Sequence, residues 1–199
     1  MNARRENRER RERALLEAAV AAIAELGLSG VRISDIAERA GMTAGHLNYY
    51  FPSKSVLLQR AIEMSEGELV RDARESLSAL ADPLARLRAL CDVSLADAVG
   101  DPGWLLWFQV WAESALHPEL AEAHHELDAS WRELLRQVIA DGVAAGVFRV
   151  PDVDGATAVI AAMLDGLSIQ LAVGAPGYTR DRIRSLAESA ALGLLRPAP

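Results

Sequence analysis

Disulfide chemistry is the first thing this sequence lacks. Its 199 residues include one cysteine, Cys91. With no second thiol in the chain an internal cross-link is excluded, and a reducing cytoplasm is the expected setting. β-Branched residues are scarce, while Ala, Leu, Glu and Arg abound. That balance disfavours a strand-built domain and favours helix throughout. Internal repeats and low-complexity tracts are missing. A secretory leader is not expected: Arg4, Arg5, Arg8, Arg10, Arg11 and Arg13 supply charge, but Glu17 and Glu25 break the apolar stretch behind them. Residues 155–175 are the only candidate membrane span. Asp165 in their middle and Gln170 near their end make a buried helix the expectation, and no membrane partner is expected. There is no phosphate-cradling glycine loop and no nucleophile–base pair, so an enzyme is not expected and no cofactor is called for.

Charge is present but unevenly spread. The net charge is −7, yet residues 1–60 hold ten Arg/Lys against seven Asp/Glu. The rest holds eleven against twenty-one. A basic head on an acidic body suits a protein whose head alone meets phosphate. The same arginines, interleaved with Glu6, Glu9 and Glu12, also suit a solvated helix, and charge alone does not decide between the two.

Periodicity and punctuation divide the chain into nine helices and no strand, an all-α fold. Leu16, Ala19, Val20 and Ile23 give the first helix an apolar face, and Gly27 ends it. Ser34 is placed to cap a second, short helix with Asp35 in its first turn, and Gly41 ends that one. Thr43 caps a third, closed by Pro52. Ser53 caps a fourth, to about Leu80. Asp82-Pro83 starts a fifth, to about Val99. The sixth is expected from Trp104 to His117 and the seventh from Pro118 to about Ala145. Asp152 or Asp154 caps an eighth, to about Ala172, and Thr179 a ninth, to about Leu195.

The second and third helices carry the sharpest pattern. From Ala37, apolar residues fall at −1 (Ile36), +3 (Ala40), +5 (Met42), +10 (Leu47) and +13 (Tyr50), with Gly41 at +4. This is the spacing of a helix-turn-helix: a small residue lets the second helix approach, and glycine takes the positive φ of the turn. In "TAGHLNYYFPSK" the residues Leu47, Tyr50 and Phe51 face inward, leaving Thr43, Ala44, Gly45, His46 and Tyr49 outside. A helix entering a major groove must be slim at its front, which these short side chains allow. Tyr49 and Tyr50 at the rear can reach phosphates, as can Lys54 beside the next helix start. Ser34 completes the expected DNA-facing set. His46 and Asn48 also suit a plain solvated surface.

"RISDIAERAGMTAGHLNYYFPSKSVLL" resembles the signature of the TetR family of transcriptional regulators, over about residues 8–62. The segment "LDGL" (residues 164–167) is similar to the eighth helix of the betaine-regulator (BetI-like) branch. The resemblance implies a homodimeric repressor bound to a palindromic, double-stranded DNA operator. It implies that residues 1–52 bind DNA, and that residues 53–199 bind a small-molecule effector and dimerise through the last two helices. Carried over by position, Thr43, Gly45, His46, Tyr49, Tyr50 and Lys54 touch DNA, and the Arg-rich arm ahead of the first helix adds phosphate or minor-groove contacts.

Within the body, Trp104, Trp107 and Trp111 recur at i, i+3, i+7 beside Phe108. They fit either an aromatic core stripe or the wall of an effector site open to a flat or cationic ligand. Cys91 and Met64 are candidate lining residues. Glu113, His117, Glu122, His124, His125 and Asp128 include i, i+4 pairs of metal-ligand type, but Pro118 divides them and no metal is expected. The eighth helix is apolar nearly all round and so needs cover on every side. Val159, Ala162, Gly166 and Ile169, with Leu186, Ala190 and Leu194 of the ninth, fit a symmetric dimer face. A central helix of the monomer is the alternative. A helical-bundle enzyme, or a ligand-binding protein without DNA affinity, is the competing functional class.

Overall fold

Caps and prolines set the helix boundaries of the computed structural model, which describes residues 3–27, 30–115 and 118–196. The side chains of residues 3, 4, 113, 118–120, 122–124 and 127 lie outside that description. Among the described residues there are nine helices and no strand: α1 (Ala3–Leu26), α2 (Ile33–Arg39), α3 (Ala44–Tyr50), α4 (Lys54–Ser78), α5 (Pro83–Val93), α6 (Pro102–Ser114), α7 (Pro118–Ala144), α8 (Val153–Ala172) and α9 (Arg180–Leu195). Thr43, Asp82, Asp152 and Thr179 each turn a side-chain oxygen onto a backbone N–H of the first turn. Ser53 does the same for α4, accepting from the Val56 N–H at 3.2 Å. Each such cap stabilises its helix by about 1 kcal/mol, since it pairs a donor that the helix itself leaves open.

The start of α6 differs from expectation, at Pro102 and not Trp104, with the Trp104 N–H donating to Asp101 at 3.1 Å; two further boundaries differ as well. Ser34 does not cap α2. The helix starts two residues earlier, Arg32 is the capping residue, and Asp35 accepts from the Arg32 N–H at 3.0 Å. The Ser34 hydroxyl donates to Asp35 instead, at 3.3 Å. Nor does α5 reach Val99. It stops at Val93, because the next segment finds partners on α8: the Ala96 N–H donates to Ser168 Oγ at 3.1 Å and the Gly100 N–H to the Ala172 carbonyl at 2.9 Å. His117, the expected end of the sixth helix, lies outside the described residues.

Residues pack into two compact units, described separately. The first comprises the described residues up to Glu68 and those of Leu105–His125. Its core is made by Leu15, Ala19, Ala22 and Ile23 of α1 with Ile36, Leu47, Phe51, Leu57 and Ala61, all buried. Val20, expected inward, is only half-buried. The second comprises Leu69–Trp104 and the described residues from Glu126 on. There Leu87 and Leu90 of α5, Leu135 and Ile139 of α7, Ile160 and Leu164 of α8, and Ile183 and Ala187 of α9 are buried together with Phe148.

Candidate nucleic-acid interface and effector site

The turn between α2 and α3 is built on Gly41, whose φ is +66°. Side-chain-bearing residues avoid that region. The Met42 N–H donates to the Ala37 carbonyl at 2.8 Å, closing the end of α2, and Thr43 then caps α3 by accepting from the His46 N–H at 3.3 Å. Ile36, Ala37, Leu47 and Phe51 of the predicted inner face are buried, while Ala40, Met42 and Tyr50 are only half-buried. Arg39 of α2 holds Glu25 of α1 through a two-pronged ion pair.

The opposite face is open. Thr43, Ala44, Gly45, His46, Asn48 and Tyr49 are exposed, Tyr49 to 71%. Tyr50 is half-buried and meets Tyr49 edge-on, with ring centroids 5.2 Å apart. The His46 ring folds back to within 3.3 Å of the Thr43 hydroxyl. Lys54, half-buried, opens α4, and Ser34 is exposed on α2.

The arginine-rich stretch is not an arm ahead of α1. From Arg4 on it forms the first turns of the helix. Arg5 pairs with Glu9 at 2.7 Å, and Arg13 pairs with Glu17 at 2.9 Å and Glu68 at 2.7 Å. Arg8 stands over the Tyr49 ring, 5.9 Å from its centroid, which brings a cation to the rear of α3.

The aromatic stripe divides between the units. Trp104 belongs to the second, while Trp107, Phe108 and Trp111 cluster in the first. Trp107 and Trp111 lie 6.1 Å apart, Phe108 and Trp111 6.3 Å. Sequence reading missed the acid among them. Glu66 of α4 is only 7% exposed, and its carboxyl accepts a hydrogen bond from the Trp107 indole. Burial pushes that carboxyl up to about 7, and the indole hydrogen bond opposes the rise. Met64, half-buried, lies on the same helix.

Cys91 sits in the second unit. Its thiol is pushed up to about 12 by burial and by the charges of Glu188 and Asp92. So protonated a thiol is a poor nucleophile. Of the metal-type residues, His117 lies outside the description, as do the side chains of Glu113, Glu122 and His124. Among the described residues no three His, Cys, Asp or Glu are grouped to hold a metal.

In α8 one face is buried, through Ala156, Ile160, Leu164, Ser168 and Leu171. The other is open: Val159 is 59% exposed, Ala162 and Gly166 are exposed, and Ile169 is half-buried. On α9, Ala190 and Leu194 are exposed and Leu186 is half-buried, while Ile183, Ala187 and Ala191 pack inward. By length and composition α8 is the one described helix able to cross a membrane. A second carboxyl lies along it: Asp165 is raised to about 6, first by burial and then by Asp128, against the pull of Arg132.

A turn set by glycine, a buried inner face and a slender exposed recognition helix define the helix-turn-helix regulators. Comparison with known proteins narrows the class. Residues 15–61 match the description "Bacterial regulatory proteins, tetR family", and residues 83–196 match "BetI-type transcriptional repressor, C-terminal". The chain belongs to the TetR family of transcriptional regulators, in its BetI-type branch. It is 34% identical over 113 residues to the HTH-type transcriptional regulator BetI of Yersinia pestis, a match spanning 55% of this chain and just over half, 57%, of that relative. To BetI of Paraburkholderia phymatum it is 30% identical over 192 residues, 89% of each chain. Among solved structures, a putative transcriptional regulator from Saccharomonospora viridis in complex with choline superposes with a TM-score of 0.83 at 31% identity, covering 89% of this chain and 93% of that one. A TetR-family regulator from Rhodococcus sp. superposes at 0.79 and 26% identity, covering 93% and 98%.

Proposed function

We propose that this regulator is a cytoplasmic repressor. As a homodimer it holds a near-palindromic operator, and it lets go when a small organic cation binds its body. The observation that carries the DNA reading is the face of α3, where Thr43, Ala44 and Gly45 stand exposed in front of a buried Leu47 and Phe51. Among the described residues none covers that surface, and its slenderness suits base edges at the floor of a groove. Thr43, Ala44, Gly45 and His46 take the bases, while Tyr49, Tyr50, Lys54 and Ser34 take the backbone. The DNA-binding role falls to residues 1–52 and the effector and dimer roles to 53–199.

Pairing of two copies through Val159, Ala162, Gly166, Ile169, Leu186, Ala190 and Leu194 supplies the cover that the open faces of α8 and α9 call for. A dimer presents two recognition helices to half-sites about 34–36 Å apart. The effector is placed at Trp107, Phe108 and Trp111, with Met64 at the margin. Aromatic faces attract an organic cation, and choline is the ligand in the Saccharomonospora viridis relative.

Selection of bound sequences from random DNA tests the reading. The selected sites are expected to be inverted repeats, bound with an affinity that falls linearly in log salt. Recovery of no preferred sequence at moderate ionic strength overturns it.

A further inference from the structure

Glu66 is the only Asp, Glu, Lys, Arg or His among the described residues that is buried. An isolated carboxylate away from water is costly unless it is paired or protonated. Among the described residues it accepts a hydrogen bond from the Trp107 indole, and no charge of a basic side chain acts on it. The charged groups on the elements around it are engaged elsewhere. Glu12 and Arg13 of α1 pair with Arg60 and Glu68 of α4, Glu63 accepts from Gln59, and His125 is exposed. A second polar group is left over on α6. Ser114 follows Trp107 by seven residues and Trp111 by three, which puts all three on one helix face. Its hydroxyl oxygen is buried and has no hydrogen-bond partner among the described residues.

Building on the effector reading above, we infer that Glu66 and Ser114 are the two polar determinants of the site. The carboxylate holds the charge of a small quaternary ammonium against the Trp107–Trp111 cluster, and the hydroxyl hydrogen-bonds an oxygen carried on that cation. A quaternary ammonium donates no hydrogen bonds and is only weakly hydrated. Aromatic faces and a single dry carboxylate therefore retain it where they would leave the N–H donors of a lysine-like ammonium short of acceptors and water. In the free protein the carboxyl keeps its proton up to about pH 7. Binding of the cation expels that proton to solvent, and one positive charge replaces another.

Calorimetric titration of the full-length protein tests this with three probes: choline, tetramethylammonium, which lacks the hydroxyl arm, and 3,3-dimethylbutan-1-ol, the uncharged isostere of choline. Wild type is expected to rank them in that order. Glu66→Gln is expected to lose about tenfold to a hundredfold in choline affinity and none for the neutral alcohol. Ser114→Ala is expected to bring choline down toward tetramethylammonium. Below pH 7 wild-type affinity for choline should fall by up to about tenfold per pH unit, while Glu66→Gln stays flat. Operator retardation by each variant confirms its folding. Choline bound as tightly by Glu66→Gln as by wild type overturns the inference and leaves the effector reading standing. A wild-type protein that retards its operator but takes up no ammonium probe removes both.

Discussion

Gly45 shows how far a recognition surface depends on an atom that is missing. A Cβ built there meets only the Thr43 hydroxyl oxygen, at an ordinary 3.9 Å, so folding does not require the glycine. Gly45→Leu is therefore expected to melt within about 1 kcal/mol of wild type, helped slightly by better helix propensity. It is expected to lose operator affinity by about tenfold or more, because bulk at the front of α3 holds it off the base edges. Fluorescence anisotropy on a labelled operator checks this, and wild-type affinity in the variant removes α3 from the groove. Glu66 gives a second prediction at this scale. Between about pH 4.5 and 7 the unfolded chain has released this proton and the folded chain still holds it. Stability from this group is thus complete below pH 4.5 and is lost as pH rises to about 7, on the order of 3 kcal/mol in all. Glu66→Gln should remove that slope, so its stabilisation relative to wild type should grow with pH in denaturant titrations. Equal slopes for the two proteins would mean the carboxyl is not held in the dry site.

At the level of the helix, local chemistry sets most boundaries and tertiary partners set the rest. The end of α7 illustrates a tertiary limit. A Cβ on Gly142 falls 2.1 Å from Phe148, whose own N–H donates to the Gly142 carbonyl at 3.1 Å. Gly142→Ala leaves the ring nowhere to go and should destabilise by about 1–3 kcal/mol or more. Adding Phe148→Leu should recover part of the loss, and thermal melts of the single and double variants read that coupling. The caps at Thr43, Ser53, Asp82, Asp152 and Thr179 were legible because a cap is a contact between near neighbours in the chain. The start of α2 and the stop of α5 were not: Arg32 has no side-chain oxygen to advertise it, and Ser168 lies 72 residues from the Ala96 N–H it receives. The same logic separates the sites. The helix-turn-helix is a local pattern, so its inner and outer faces could be read from spacing. Glu66 could not, because one acid among many on α4 gives no sign of burial until Trp107 is brought against it. The arginines of α1 suited both an arm and a solvated helix, and the i, i+4 pairs that Arg5 and Arg13 make with Glu9 and Glu17 place them in the helix.

For the whole molecule the open question of cover on α8 and α9 becomes a question of copy number. A monomer that leaves Val159, Ala162 and Leu194 in water pays for an apolar patch that a second copy would hide, and neither Gly166 nor Gly193 has a neighbour where its Cβ would stand. Small residues there let two backbones approach closely, so a single long cation should be intolerable in a dimer and harmless in a monomer. Ala162→Arg is expected to sediment as a monomer with an unchanged helical spectrum, while Asp72→Arg, an exposed control on α4, stays a dimer. The DNA consequence follows from geometry. A lone subunit reaches one half-site, so it gives up the second set of contacts, and its log-salt slope should drop to about half that of wild type as fewer phosphates are neutralised. Each subunit keeps its own Trp107 cluster, so choline should still quench the tryptophan fluorescence of the monomeric variant. Loss of operator binding with effector binding retained would separate assembly from ligand recognition. A variant that remains dimeric would assign the open side of α8 to some other cover and leave the two-helix face without its proposed role.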